Sequence, residues 1–189
     1  PVSDLIVLTR ALLNPADRIA WLALLRAPFI GLSLDDVLTI TNATCNNRYT
    51  GDAVLTQLLS LSDKTKRELS DYGQKSIERV MPIIESAFNN IRRNGLRFII
   101  EKTWENLGGH YTLNSSAQLS DARRYLDLLE AHERAGMIDN FAAFEIAASK
   151  LFAAPDAQNS QCVQIMTIHK AKGLEFDHVI LPGLDRPSK

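Results

Sequence analysis

The 189-residue chain has only two cysteines, Cys45 and Cys162, which excludes a disulfide framework and points to a reducing compartment with two free thiols. It has no apolar run near the ~20 residues a membrane helix needs. Its first residues lack the basic-then-apolar layout of a secretion signal, so a soluble, cytoplasmic protein is the expectation. It has almost no net charge. The 21 Lys and Arg against 22 Asp and Glu leave −1, which excludes a polybasic, histone-like binder but not a local basic face. His110, His132, His169 and His178 share no close metal-ligand spacing with each other or with the cysteines, which argues against a zinc site. No repeat or low-complexity tract is visible. What is present is ordinary globular material: 46% hydrophobic and 23% charged residues exclude wholesale disorder.

Residues 1–155 read as a succession of helices. Ser3-Asp4 can cap a first helix carrying Leu5, Leu8 and Leu12 at helical spacing. Asn14-Pro15-Ala16-Asp17 is a second start signal, with Asn14 as the cap and Pro15 in the first position. That helix presents Ile19, Leu22 and Leu25, widened by Trp21 and Leu24, and stops at Pro28. Ser33-Leu34-Asp35-Asp36 opens a third. Thr41 to Asp52 turns polar and reads as a loop, and Asp52 can cap a short helix with Val54, Leu55, Leu58 and Leu59. Ser62-Asp63 begins a long helical pattern reaching about Asn94, in which Pro82 predicts a kink or break. Arg97 to Leu107 stops at Gly108-Gly109, Ser116 to Ala135 at Gly136, and Asn140 to Phe152 at Pro155.

After Pro155 the pattern changes. Asp156 to Gln161 is a polar link, Val163 to Ile168 alternates as a strand does, and His178-Val179-Ile180-Leu181 is a second strand candidate ended by Pro182-Gly183. The expected fold is therefore mainly α: a helical unit over residues 1–155, then a strand–turn–strand piece over 156–189 too small to fold alone. That mismatch suggests a boundary cutting through a second domain.

The turn between those strand candidates carries the chemistry. A strand delivering Thr167 and His169 at its end, followed by Lys170, Lys172 and Gly173, has the hydroxyl, imidazole, ammonium and backbone donors that phosphates take. Glu175 can accept from a sugar hydroxyl or couple to a cation. The residues alone equally allow a capped turn with solvated charges.

The run Thr167-Ile-His-Lys-Ala-Lys-Gly-Leu-Glu-Phe176 resembles motif V of the UvrD/Rep-like superfamily 1 DNA helicases, T-x-H-x-A-K-G-L-E-F/W. Thr167, His169, Ala171, Lys172, Gly173, Leu174, Glu175 and Phe176 match it in order. The resemblance implies that this segment belongs to 2A, the second RecA-like α/β motor domain. It makes Thr167 and His169 the DNA-contact residues, with Lys170 of the same basic turn beside them, and it places Gly173 and Glu175 towards the nucleotide; Lys172 can serve either and is grouped with the DNA contacts.

The helical part resembles the same family. Asn14-Pro-Ala-Asp17 followed by Leu24-Leu-Arg-Ala-Pro-Phe-Ile-Gly-Leu32 is similar to the opening of its 2B subdomain, a helical insertion before motif V, in the form found in the AddA/RecB helicase–nuclease branch. Relatives touch duplex DNA through a Gly-Ile-Gly turn. Here the corresponding turn is Phe29-Ile30-Gly31-Leu32, without the first glycine, and the resemblance carries the duplex contact to Gly31 and Ser33. It further implies a parent protein that uses ATP and Mg²⁺, translocates on single-stranded DNA in repair or recombination, and works with a nuclease domain or subunit. The same 2B-like unit would otherwise serve to dock such a partner.

The ATPase machinery itself is expected outside this stretch. No G-x-x-x-x-G-K-[ST] phosphate loop occurs, Lys172-Gly173 has the reversed order, and no acidic Mg-binding pair follows a strand, so this stretch alone should be inactive. Leu8-Thr9-Arg10-Ala11 resembles the family's arginine-bearing motif VI but precedes motif V instead of following it, so Arg10 reads as an ordinary helix residue. The basic groups Arg92, Arg93, Arg97, Lys102 and Lys64, Lys66, Arg67 are interleaved with acids and read either as phosphate contacts or as solvated faces, whereas Arg123, Arg124 and His132 read as the solvated face of a helix. Trp21 and Trp104 read as core and Cys45 as a loop residue.

Overall fold

The structure is a computed structural model and describes residues 2–42, 54–91, 93–151 and 165–181. Cys45, the Thr41–Asp52 loop beyond Asn42, the Asp52 cap, Arg92, the Asp156–Gln161 link, Cys162, the start of the first strand candidate and Pro182-Gly183 lie outside the described residues. The chain divides into two compact units, Pro1–Pro155 and Asp156–Lys189.

Unit one is built from α1 (Val2–Leu13), α2 (Arg18–Arg26), α3 (Leu34–Asn42), α4 (Val54–Leu59), α5 (Asp63–Glu68), α6 (Asp71–Asn90), α7 (Leu96–Asn106), a 3-10 turn (Gly109–Thr112), α8 (Ser116–His132) and α9 (Phe141–Leu151). Helix α1 is central because its apolar positions recur on more than one face. Leu5, Leu8, Ala11 and Leu12 are all buried, and the helix packs against α2, α7 and α8. The polar Thr9 is buried with them and is satisfied there. Its hydroxyl donates to the Leu5 carbonyl at 2.7 Å and lies 2.8 Å from the Tyr125 hydroxyl on α8. Burial pushes the Tyr125 hydroxyl far above its ordinary pKa, so it stays protonated and keeps its hydrogen to donate. Trp21 and Trp104 are buried, as their positions on apolar stripes predict.

Several starts differ from the sequence expectation, each for a local reason. Helix α1 begins at Val2, with Ser3 and Asp4 already inside its first turn. Asn14 does not cap α2; its side chain accepts from the Ala16 N–H at 3.2 Å and its carbonyl from the Asp17 N–H at 3.0 Å. Asp17 is the cap, accepting from the Ala20 N–H at 2.9 Å while gripped by the Arg10 guanidinium. Ile19 points outward, 75% exposed. The Ser62-capped helix ends at Glu68, because Leu69 is extended and Ser70 caps a new helix by accepting from the Gly73 N–H at 3.0 Å.

Pro82 does not break α6. Both Pro82 and Glu78, whose carbonyl loses its helical donor, are exposed, so water can satisfy that carbonyl. Buried Ile77, Val80, Ile84 and Ala87 hold the helix on both sides of the proline. Helix α8 ends at His132, and Ala135 and Gly136, both with positive φ, form a tight reversal pinned by reciprocal Arg134–Met137 backbone bonds of 2.8 and 3.0 Å. Gly95 offers α7 no side-chain cap, and Glu133 supplies one from a distance, accepting from the Leu96 N–H at 2.7 Å.

In unit two the strand–turn–strand piece is not shown, and Val163 and Gln164 lie outside the described residues. Among the described residues no strand is present. Ile168, expected in the first strand, opens the short helix α10 (Ile168–Ala171), and His178–Leu181 belongs to no ladder. The reason is local: the Thr167 side chain accepts from the Lys170 N–H at 3.4 Å and its carbonyl accepts from Lys170 and Ala171, which starts a helical turn. Alternating hydrophobicity selects faces, but a strand also needs a neighbouring strand to pair with.

Candidate nucleic-acid interface

The motif-bearing segment is one helical turn followed by a reverse turn. After α10, Lys172 adopts φ −61°, ψ 119°, Gly173 has φ +85°, and the Leu174 N–H closes onto the Ala171 carbonyl at 3.0 Å. These are the features of a type II β-turn, whose third position demands positive φ. Nothing lies within 4 Å of the position a Gly173 Cβ would take, so backbone conformation and not crowding requires the glycine. Thr167, His169, Lys170, Lys172, Gly173 and Glu175 are all exposed, and none of the four charged or imidazole side chains has an ion-pair partner among the described residues. The segment brings Thr167, His169, Lys170 and Lys172 within six consecutive positions and presents donors outward. It has the chemistry of a surface that holds an anion.

The second candidate lies in unit one, between α2 and α3. Gly31 has φ +72°, and its missing Cβ would meet the Tyr72 hydroxyl at 2.9 Å. Ser33 forms a capping box with Asp36. Its hydroxyl donates to Asp36 Oδ2 at 2.7 Å and accepts from the Asp36 N–H at 3.0 Å. The Asp36 carboxylate, 3% exposed, also accepts from the Ser70 N–H at 2.7 Å and the Ser70 hydroxyl at 2.8 Å. Burial alone would raise the Asp36 carboxyl, but the bonds from Ser33 and Ser70 outweigh it and hold its pKa below the ordinary value. Ser33 is thus committed to the fold. The Ser33-x-x-Asp36 spacing marks Asp36 in the sequence, whereas nothing in the sequence marks Tyr72 or Arg79.

The basic groups on the helices are largely neutralised. Arg97 Nη1 donates to Asp127 and Glu130, both at 2.6 Å, Lys102 lies 3.6 Å from Glu105, Lys66 3.9 Å from Asp63 and Lys64 4.0 Å from Glu68. Arg124 sits 3.9 Å from Asp121. Arg10 is held by Asp17 at 2.7 Å and Glu145 at 3.3 Å, with its pKa raised first by the Asp17 hydrogen bond, so it is spent on packing α1 against its neighbours.

No group of three His, Cys, Asp or Glu side chains among the described residues is placed to hold a metal ion, and the sequence has no phosphate loop. No described helix is long and apolar enough to cross a membrane.

The chain belongs to the family of the UvrD-like helicase C-terminal domain, whose model matches residues 1–187. Among curated proteins it is similar to an ATP-dependent helicase/nuclease subunit from Listeria monocytogenes serotype 4b (strain F2365), 29% identical over 98% of this chain and 15% of that protein. The same-named proteins of Lysinibacillus sphaericus (25% identical, 92% of this chain, 14% of that protein) and Pelotomaculum thermopropionicum (26%, 98% and 15%) are similar as well. The chain spans about 15% of the length of the curated relatives it matches. No solved structure matches it significantly.

Proposed function

We propose that this chain is the 2B-type helical subdomain and the motif V segment of an ATP-dependent DNA helicase acting with a nuclease. In this reading residues 1–155 are 2B-like and residues 156–189 are part of a RecA-like 2A domain. Thr167, His169, Lys170 and Lys172 meet the single-stranded DNA backbone, and Gly173 and Glu175 face the nucleotide held by another part of the parent. The observation that carries it is the ordered run from Thr167 to Phe176, exposed on a Thr-capped turn in a chain matched end to end by the helicase family. The Thr167 hydroxyl accepts from Lys170 and keeps its own hydrogen for a phosphate oxygen. Left-handed Gly173 turns the chain so that Glu175 follows the lysines on a different heading. The chain on its own neither hydrolyses ATP nor unwinds DNA, and the parent is a soluble, cytoplasmic enzyme of repair or recombination.

The test is His169→Ala in the full-length parent. Loss of one polar phosphate contact is worth about 1–3 kcal/mol, so DNA-stimulated ATP turnover should fall about ten- to a hundredfold while ATP binding without DNA persists. Glu175→Gln should impair the ATP-dependent step more than DNA binding without nucleotide. Normal turnover per folded molecule in both variants would reduce the segment to scaffold and overturn the assignment.

A further inference from the structure

Helix α9 is apolar nearly all round. Of its 11 residues, Phe141 to Leu151, only Glu145, Ser149 and Lys150 are polar. One side is accounted for, since Phe144 and Ala148 are buried and the helix packs mainly on α8. The outer side is not. Ala142 and Ile146, one turn apart, are both exposed there, Ile146 to 58%. A surface helix with one packed face would place polar residues at those positions.

The exposed stripe begins in a cleft of about 390 Å³, where Leu13, Ile138 and Phe141 form the apolar lining and Arg10, Asp17 and Glu145 supply the charge. Two carboxylates meet one guanidinium in it. Asp17 is fully engaged: Oδ2 accepts from Arg10 Nε at 3.1 Å and Nη2 at 2.7 Å, and Oδ1 accepts from the Ala20 N–H at 2.9 Å. Glu145 accepts from Arg10 Nη1 through Oε1 at 3.3 Å, so among the described residues Oε2 is left for a second donor. The cleft thus carries one negative charge in excess, beside an aromatic ring and two aliphatic side chains. Glu145 is also the one acidic residue of α9, and Lys150, four positions beyond Ile146, closes the stripe with the opposite charge.

We infer that the cleft and the α9 stripe dock an amphipathic helix of a partner protein, with one arginine or lysine of that helix seated in the cleft. A long basic side chain is the complement of this site: its methylene stem lies on Leu13, Ile138 and Phe141 while its charged head bonds Glu145. The Phe141 ring adds attraction for a cation over its face. Ala142 and Ile146 receive apolar residues three or four positions from the basic one, the spacing at which one helix lies along another. The opposite charges at the two ends of the stripe fix the direction of the docked helix. An acidic helix would set like charges together at Glu145, and a wholly apolar one would bury its free oxygen unpaired. The inference goes beyond the DNA-motor reading and stands without it.

The test uses the full-length parent and a labelled, helix-forming peptide with one arginine flanked by leucines on the same face, read by fluorescence anisotropy. A companion peptide carries citrulline, which keeps the shape and loses the charge. The arginine peptide should bind about tenfold more tightly. Glu145→Gln should abolish that preference and leave the citrulline peptide's affinity unchanged, which a merely structural Glu145 would not do. Ile146→Asp, at an exposed position, should weaken both peptides about tenfold. Glu78→Gln, removing an exposed acid on α6, should change neither. Spermidine, cationic but without an apolar flank, should compete about tenfold less well than the arginine peptide. In the peptide-free parent, Ile146→Cys should take up a maleimide as an exposed thiol does, read at that site by mass spectrometry. Equal affinity for the two peptides, a preference that survives Glu145→Gln, no binding of either, equal competition by spermidine, or a protected thiol in Ile146→Cys would each overturn the inference. The assay uses neither DNA nor ATP, so a parent without DNA-stimulated ATP turnover would sink the functional reading and not this one.

Discussion

Asp36 and Ser70, thirty-four positions apart, are joined twice: the Asp36 carboxylate accepts from both the backbone N–H of Ser70 at 2.7 Å and its hydroxyl at 2.8 Å. One buried side chain thereby ties the start of α3 to the start of α6. The Asp36 pKa is lowered in the folded state, so its contribution is present above the unfolded carboxyl value of 3.8 and is lost as pH falls through the folded value. Urea unfolding of the helical unit between pH 7 and pH 2 should show this loss. Asp36→Asn should remove that part of the pH dependence and cost about 2–4 kcal/mol at pH 7, because buried donors lose a charged acceptor. An unchanged pH profile in the variant would refute the linkage.

Gly31→Ala should destabilise by about 1–2 kcal/mol, since alanine meets both a positive φ and the Tyr72 hydroxyl at 2.9 Å. Combining it with Tyr72→Ala removes the clash and leaves only the backbone strain. Chemical denaturation of the single and double variants separates the two contributions, and full recovery in the double would show that φ costs nothing here.

Arg10→Ala tests whether the motif-like Leu8-Thr9-Arg10-Ala11 is structural. Arg10 is partly exposed, with 38% of its side chain accessible, so solvent screening limits its pairs with Asp17 and Glu145. The expected loss is about 0.5–1.5 kcal/mol of stability. ATP turnover per folded molecule of the parent should be unaltered; a collapse of turnover in stable protein would make Arg10 a functional arginine.

Gly173→Asn and Gly173→Val should differ in the full-length parent. Asparagine tolerates left-handed backbone and valine does not, and there is open space around the position for either side chain. DNA-stimulated turnover should be largely kept by Asn and lost with Val. Equal activity would mean that the reverse turn plays no part.

The helical unit was legible wherever the signal is local. Ser33 with Asp36, Ser62 and the buried run Leu5, Leu8, Leu12 follow from spacing alone. The exchange of Asn14 for Asp17 as a cap was not legible, because it depends on Arg10 one helix back. The unbroken passage of α6 through Pro82 depends on tertiary packing on both sides. The strand expectation over Val163–Ile168 went astray at Ile168, where the same Thr167 that marks the motif also caps a helical turn. Motif order was visible in the residues themselves, but the carbonyl-anchored Arg79 was not, since it finds the Phe29 and Leu107 carbonyls only after segments distant in sequence have met.

Glu133 follows the last residue of α8 yet caps the first turn of α7, so this helix pair is buckled at the end opposite its connecting segment. The registry of the two helices is set by that buckle and by the Arg97 bonds to Asp127 and Glu130, while in the 107–115 crossing Leu107 and Gly109 are buried and its last residues, Asn114 and Ser115, are exposed. Length changes are thus expected to be absorbed in that crossing, with residues added after Leu113 leaving the pair in place. A change at Glu133 would instead unfasten both helices together.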